Sequence, residues 1–129
     1  MPDAGYSGKP LADKLGVKPG MTVVALGGPT DLNVAPLSRR LRPGVDMVLL
    51  FARRRADLER KWEPVTAAVG PRGVVWVGWP KKSSGVPTDM NEHVARDIVL
   101  PTGWVDVKVC AIDETWTGFK FVLRVALRG

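Results

Sequence analysis

The stretch GVVWVGWPKKSSGVPT at residues 73–88 decides the fold, because an apolar run stops there at a proline, two lysines and two serines. Residues 74–79 show no alternation of polar and apolar side chains. A strand that is apolar on both faces is typical of a parallel sheet covered by helices. Pro80 has no N–H to give to a strand ladder. The sequence therefore predicts a buried strand that ends at a polar, cationic loop.

The loop after this strand carries the first candidate ligand-binding groups. It contains Lys81, Lys82, Ser83 and Ser84, and Thr88 follows as the predicted N-cap of a helix. In open α/β sheets, ligands bind beyond the carboxyl ends of the strands. Two cations, two hydroxyl groups and the amino end of a helix suit an anionic group. A solvated surface loop is the alternative interpretation.

Four further strands can be placed around this central strand. Residues 21–26, MTVVAL, and residues 45–52, VDMVLLFA, are apolar runs typical of buried strands. Residues 105–112 alternate, with the valines on one side and the charges on the other, which is typical of an edge strand. Residues 119–127 form the last predicted strand. The connection between the last two strands is too short for a helical crossover, so they should form an antiparallel hairpin.

Helices are predicted between the strands. Residues 10–15 should form a short helix, and residues 33–41 a second one. Residues 53–69 carry apolar side chains at helical spacing, although Pro64 predicts a kink or a split because its ring collides with the preceding turn. A last helix should begin near Asp89.

Gly27 and Gly28 follow the first predicted strand, where dinucleotide-binding proteins place a glycine-rich phosphate loop. The GxGxxG motif is missing, and Pro29 removes one N–H donor. Asp31 would place a negative charge near the start of the helix. Two interpretations follow: a tight turn capped by Asp31 or Asn33, or a modified ligand loop.

The length of 129 residues suits one domain with a hydrophobic core, so we expect a single domain over residues 1–129 with residues 1–9 as a surface arm. No apolar run approaches the roughly 20 residues that span a bilayer, and the N-terminus lacks an apolar signal core. A membrane is therefore not expected as a partner. Cys110 is the one cysteine, so it cannot form an internal disulfide, and a cytoplasmic location is expected.

The net charge of +6 comes from cations scattered in small groups. No stripe of basic residues alternates with aromatic residues, as nucleic-acid surfaces require, so nucleic acid is not the expected partner. The charge fits either a solvated basic surface or contact with an anionic small molecule or a protein partner.

Hydrolytic and metal-dependent chemistry find little support. The chain has no GxSxG motif and no second histidine for a triad or a zinc site, so no metal is expected. Cys110 lies within a predicted strand and should be buried and inert. His93 has Asp97 four residues later, which favours a surface imidazole with a carboxylate neighbour over a catalytic base. No catalytic residue is assigned.

The order of the predicted elements, together with LGVKPGMTVVALG at residues 15–27, is similar to class I S-adenosylmethionine-dependent methyltransferases. The resemblance implies a three-layer, Rossmann-like α/β domain with a mostly parallel five-stranded sheet that ends in an antiparallel hairpin. It implies that the return strand lies between the strands at residues 73–79 and 105–112. The loops at one carboxyl edge should then bring together the ligand-binding candidates Gly27, Gly28, Lys81, Lys82, Ser83, Ser84, Asp113, Glu114 and Trp116, with Thr115 and Lys120 beside them.

The chain departs from this family in one respect that concerns the cofactor. Only residues 42–44 separate the second helix from the second strand, so two strands of the family's sheet are missing. One of them normally ends in the acidic residue that holds the cofactor ribose, and no residue here inherits that role. S-adenosylmethionine is therefore a candidate cofactor that a second subunit would help to bind. The shortened sheet leaves its first strand near an edge, which a homodimer could cover.

A second resemblance is more specific in sequence. The phrases GYSGKPLADKLG, WVGWPKKSSGVPTD and VDVKVCAIDETWTGFKFV resemble a family of short, uncharacterised bacterial proteins with a domain of unknown function. This family carries no established activity. The preferred hypothesis is a non-catalytic ligand-binding or regulatory module with an anion or nucleotide site at the carboxyl edge. The alternative is a methyltransferase that dimerisation completes.

Overall fold

A five-stranded mixed β-sheet lies at the centre of the computed structural model, which describes residues 10–29, 32, 34 and 37–129. The sheet order is β1-β2-β3-β5-β4. In chain order, the described strands are β1 (Val23–Leu26), β2 (Met47–Phe51), β3 (Val74–Pro80), β4 (Trp104–Ala111) and β5 (Trp116–Leu123). The predicted position of the return strand, β5, between β3 and β4 is confirmed.

The strand directions make the sheet mixed rather than mostly parallel. β1, β2 and β3 pair in parallel, whereas β5 is antiparallel to both β3 and β4. Only residues 112–115 connect β4 to β5, and such a short connection forces antiparallel pairing. β4 consequently points the same way as the first three strands, although it pairs with none of them.

Three α-helices in the described chain cover the two faces of the sheet: α1 (Leu11–Leu15), α2 (Arg55–Val69) and α3 (Glu92–Val99). Because successive strand residues point to opposite faces, the core divides into two apolar clusters. Leu58 of α2 and Ala95 of α3 belong to one cluster, and Leu15 of α1 and Trp76 of β3 belong to the other. β2 is buried at every position, as its apolar run predicts.

The predicted helix at residues 33–41 is not present in the described part of that range. Ser38 instead forms a parallel bridge with Val24 of β1. The Ser38 N–H donates to the Val23 carbonyl at 2.9 Å, and its carbonyl accepts from the Ala25 N–H at 2.8 Å. These two hydrogen bonds pair backbone groups at the outer edge of β1, so the N–H and carbonyl of Ser38 are not available to a helix. The proposed caps Asp31 and Asn33, and the arm at residues 1–9, lie outside the described residues.

Pro64 does not split α2, which runs as one helix from Arg55 to Val69. Pro64 lies on the exposed side of the helix, whereas Leu58, Trp62 and Val65 are buried on the other side. The packed side of the helix therefore compensates for the hydrogen bond that Pro64 cannot make.

The last strand is shifted relative to its prediction. β5 begins at Trp116 and ends at Leu123, and Val125–Leu127 form a 3₁₀ turn instead of its final residues. Asp113 explains the early start, because its Oδ1 accepts from the N–H groups of Thr115 and Trp116 and closes the hairpin. Val125 and Leu127 are 76% and 55% exposed, so they do not continue the buried face.

β4 is an edge strand, as predicted, but its valines are not on an inner face. A β-bulge falls between Asp106 and Lys108. Val107 and Val109 are 55% and 58% exposed. The bulge changes the alternation of side chains, and such irregularities discourage pairing with a further strand.

Across residues 10–29, 32, 34 and 37–129, the structure contains no helix with the length and apolar character needed to cross a lipid bilayer.

Candidate functional site

The loops after β2, β3 and β4 meet at one edge of the sheet. The Lys81 N–H donates to the Thr115 carbonyl at 2.7 Å, which joins the lysine-serine loop to the hairpin tip. The Thr88 hydroxyl donates to the Arg53 carbonyl at 2.6 Å, which joins the same loop to the end of β2. The lysine-serine loop and the Trp116 hairpin are therefore neighbours at the carboxyl edge, where ligands bind in open α/β sheets.

An open cleft of about 660 Å³ lies beyond the carboxyl end of β3, between the lysine-serine loop and the start of α3. Its volume is in the range of small-molecule sites. Trp79 and Met90 line it and are each only 4% exposed, so part of its wall belongs to the core. The cleft is lined by Trp79, Pro80, Lys81, Lys82, Thr88, Met90, Asn91, Glu92, His93 and Thr117.

The two lysines are held by a short turn at the end of β3. Lys82–Ser84 form a 3₁₀ turn, and Gly85 follows in the left-handed region with φ of 77°. The Ser84 hydroxyl donates to the Lys81 carbonyl at 2.7 Å and accepts from the Val86 N–H at 3.2 Å. Ser84 therefore maintains the turn, and Ser83 is exposed.

The amino end of α3 forms the opposite wall of the cleft. Its N-cap is Asn91, whose Oδ1 accepts from the Val94 N–H at 2.9 Å, and not Thr88 as the sequence predicts. Thr88 is instead engaged with Arg53. In the described part of the chain, the backbone N–H groups of Glu92 and His93 donate to no acceptor. Two unpaired donors at the positive end of the helix dipole therefore belong to residues that line the cleft.

The lysine charges at the cleft are not neutralised by an ion pair in the described residues. Neither lysine forms an ion pair with Asp113 or Glu114. Asp113 accepts from the backbone of its own turn at 2.7 and 2.8 Å, and Glu114 is exposed. Asp89 also points elsewhere, because its Oδ1 accepts from the first N–H of α2, that of Arg55. Among the described residues that line the cleft, two unpaired lysine charges therefore stand against the one carboxylate of Glu92, which leaves the cleft net positive.

Gly27, Gly28 and Trp116 lie away from this cleft, against Phe51 on the α1 side of the sheet. The rings of Phe51 and Trp116 meet edge to face with centroids 5.1 Å apart. Gly28 has φ of 75°, and a Cβ placed on it would lie 2.6 Å from the Phe51 Cβ. Packing against Phe51 explains the glycine, so the candidate residues divide between two faces of the sheet.

Lys120 is not at the rim where the resemblance placed it. It lies within β5, opposite Trp76 of β3. Its ammonium nitrogen would be 3.4 Å from a Cβ on Gly16, at the end of α1. The antiparallel direction of β5 explains the difference, because only the first residues of that strand reach the carboxyl edge.

Sequence reasoning missed the wall of the cleft that α3 and β3 contribute. The sequence pattern places Trp79 within a buried strand, and the spacing of His93 and Asp97 favours a surface position for the imidazole. No His93–Asp97 ion pair occurs among the described residues, and His93 lines the cleft. The position of His93 at the start of α3 depends on the Asn91 cap, which is the signal that could have placed it.

S-adenosylmethionine, which the resemblance implies, does not fit the described loop after β1. Phe51 fills the space beside Gly28, and the residues that follow β2 are Ala52 and then the cation Arg53. No described strand lies outside β1 to supply a carboxylate for a ribose; the isolated bridge of Ser38 occupies that edge. No cluster of three or more His, Cys, Asp or Glu side chains suited to a metal ion exists in the described chain.

The solved structures show what the fold is similar to. LepI in complex with SAM matches with a TM-score of 0.52 and 10% identity. A LepI variant in complex with SAH and a substrate analogue matches equally well, and a protein described as a pericyclic reaction enzyme matches with a TM-score of 0.51 and 10% identity. Each match covers 88% of this chain and 39% of the other, so this chain spans well under half of those proteins. No family model and no curated protein matches the sequence.

Proposed function

We propose that the protein is a non-catalytic binding module that holds a small anionic ligand in the cleft beyond β3. The observation that carries this proposal is the unpaired positive charge of Lys81 and Lys82 at a cleft that also presents the free N–H groups of Glu92 and His93. Charge-assisted hydrogen bonds from ammonium groups and from a helix N-terminus are the common means of holding phosphates and carboxylates. The scaffold is a shortened, Rossmann-like sheet of methyltransferase type, which the strand order and the likeness to LepI support.

The hydroxyl groups around the cleft support binding rather than nucleophilic catalysis. Those of Ser84, Thr88 and Thr117 donate to the carbonyls of Lys81, Arg53 and Cys110, respectively. A nucleophile needs a base within hydrogen-bond reach, whereas these three protons are directed at backbone oxygens. In addition, no polar or charged side chain is buried among the described residues, and the buried thiol of Cys110 donates to the Ala111 carbonyl.

Reversing the charge of both lysines, Lys81→Glu with Lys82→Glu, should weaken binding of an organic phosphate at least tenfold, which is about 1.4 kcal/mol. The physical reason is that two attractive charges become repulsive. No other Lys or Arg among the described residues lines the cleft. Isothermal titration calorimetry with phenyl phosphate and with adenosine 5′-monophosphate measures the change.

The matched control is Lys18→Glu with Arg72→Glu. Both residues are exposed, and they precede β1 and β3, at the opposite edge of the sheet. This variant has the same net charge as the first and should bind as the wild type does. Equal weakening in both variants would mean that only the overall charge matters, and that outcome would refute a site at Lys81 and Lys82.

The second candidate function is an S-adenosylmethionine-dependent methyltransferase whose pocket a second copy completes. The observation that favours it is the likeness to structures that contain SAM and SAH. Calorimetry with S-adenosylmethionine and S-adenosylhomocysteine tests it. We expect no heat of binding at millimolar ligand, because Phe51 packs beside Gly28 and no described carboxylate faces that loop. Saturable binding, together with a dimeric mass in sedimentation, would favour the enzyme instead.

A further inference from the structure

The indole N–H of Trp79 is a hydrogen-bond donor without a partner in the described part of the chain. Trp62 donates to the Thr102 hydroxyl and Trp76 donates to the Leu15 carbonyl, each at 3.0 Å. Trp79 is 96% buried and donates to no acceptor among the residues that the structure describes. A tryptophan at this depth usually satisfies its N–H.

The Trp79 indole nitrogen reaches solvent and is not sealed in the core. Among the described residues, no side-chain nitrogen or oxygen that is fully shielded from solvent lacks a partner. The unpartnered Trp79 nitrogen must therefore reach the accessible surface, and Trp79 lines the cleft. The ring is held edge to face against Phe119 with centroids 5.1 Å apart, so the donor is fixed in place.

The apolar lining near this donor shows what kind of ligand suits the cleft. Pro80 and Met90 lie beside Trp79 in the wall, and both are buried. Inorganic phosphate would engage only Lys81, Lys82 and the free N–H groups of α3. It would leave this apolar wall and the indole donor exposed to water. A ligand body that covers the wall would gain from apolar burial and would have to supply an acceptor for the indole.

We propose that the cleft takes an organic phosphate whose apolar body carries a hydrogen-bond acceptor, such as a carbonyl or ring nitrogen, that receives the Trp79 N–H. This inference rests on the proposed anion site and names its ligand class. The phosphate lies at Lys81 and Lys82, where two charges and two backbone donors suit a dianion. Trp79 determines specificity by selecting against ligands that cannot accept its proton.

The test combines calorimetry with the indole N–H signals of the ¹⁵N-labelled protein. The probes are inorganic phosphate, phenyl phosphate and adenosine 5′-monophosphate. We expect the nucleotide to bind at least tenfold more tightly than inorganic phosphate and to shift the Trp79 indole signal. The Trp76 signal is the internal control and should not move, because that N–H is bonded to Leu15 on the other face of the sheet. Trp79→Phe identifies the signal and keeps an aromatic ring beside Phe119.

In Trp79→Phe, affinity for the nucleotide should fall about threefold to tenfold, as expected for loss of one hydrogen bond, while affinity for inorganic phosphate stays the same. If this variant does not fold, triple-resonance spectra of the wild type assign the Trp79 indole signal, and its shift on nucleotide binding still decides. Inorganic phosphate binding as tightly as the nucleotide, or an unmoved Trp79 signal on nucleotide binding, would overturn this inference and leave the anion site intact. Absence of binding by all three probes at millimolar concentration would overturn both proposals.

Discussion

Replacing Trp76 with alanine is expected to lower the free energy of unfolding by about 3–5 kcal/mol. Trp76 lies in the middle of β3 and is 0% exposed, and it belongs to the core cluster that α1 completes. The substitution leaves a large cavity between the sheet and α1, which has only five residues and depends on this contact. Urea unfolding followed by circular dichroism measures the loss.

The hydrogen bond of Trp76 can be separated from its packing by Trp76→Phe. This variant retains much of the apolar contact but leaves the buried Leu15 carbonyl without its donor, so we expect a loss of about 1–3 kcal/mol. Trp116→Phe is the control, because Trp116 is half-buried and its indole N–H has no acceptor in the described structure. It should cost about 1 kcal/mol or less. Equal losses in the two variants would show that the Trp76–Leu15 bond does not anchor α1.

The strands at the centre of the sheet could be predicted because their signal is local. The apolar runs around Val48 and Val77 are continuous, and only a strand buried on both faces accommodates them. The position of β5 between β3 and β4 did not follow from any such pattern. It came from the resemblance to a known family, since hydrophobic periodicity contains no information about sheet order.

The errors fall where a tertiary or turn contact overrides a local pattern. Leu37 and Leu41 have helical spacing, but the backbone of Ser38 is bonded to β1. Likewise, Phe119 to Leu127 alternate as one strand would, but the Asp113 turn sets an earlier start and the chain leaves the sheet after Leu123.

Only the part of the candidate site that depends on a local signal could be predicted from the sequence. Lys81 and Lys82 could be assigned to the carboxyl edge because Pro80 limits the strand that precedes them. The wall formed by Trp79 and His93 could not, since it depends on how the start of α3 packs beside β3. The resemblance groups Gly28 with the lysines at one edge, whereas Gly28 packs against Phe51, which belongs to the core cluster on the α1 side of the sheet.

Gly28→Ala is expected to destabilise the protein by about 2–5 kcal/mol through two effects. Its φ of 75° is unfavourable for any residue with a Cβ, which costs about 1–2 kcal/mol. The added methyl group would also overlap the side chain of Phe51, which adds about 1–3 kcal/mol of overpacking. Thermal and urea unfolding measure the sum.

Gly20→Ala isolates the backbone effect. Gly20 has a similar φ of 86°, but nothing lies within 4 Å of a Cβ placed there, so only the conformational cost should appear. The difference between the two variants then measures the overlap with Phe51. In a Phe51→Ala background, the cost of Gly28→Ala should fall but stay above that of Gly20→Ala, because the ring is removed whereas the Phe51 Cβ, 2.6 Å from the added Cβ, remains.

This comparison also bears on function, because it asks what the glycine loop after β1 is for. A larger cost at Gly28 than at Gly20 means that Phe51 occupies the space beside the loop, which supports the proposed site at Lys81 and Lys82. Equal costs would mean that the Phe51 ring does not cover Gly28. The loop would then be open to a bound phosphate or cofactor, and the methyltransferase hypothesis would gain the space that it lacks in the present arrangement.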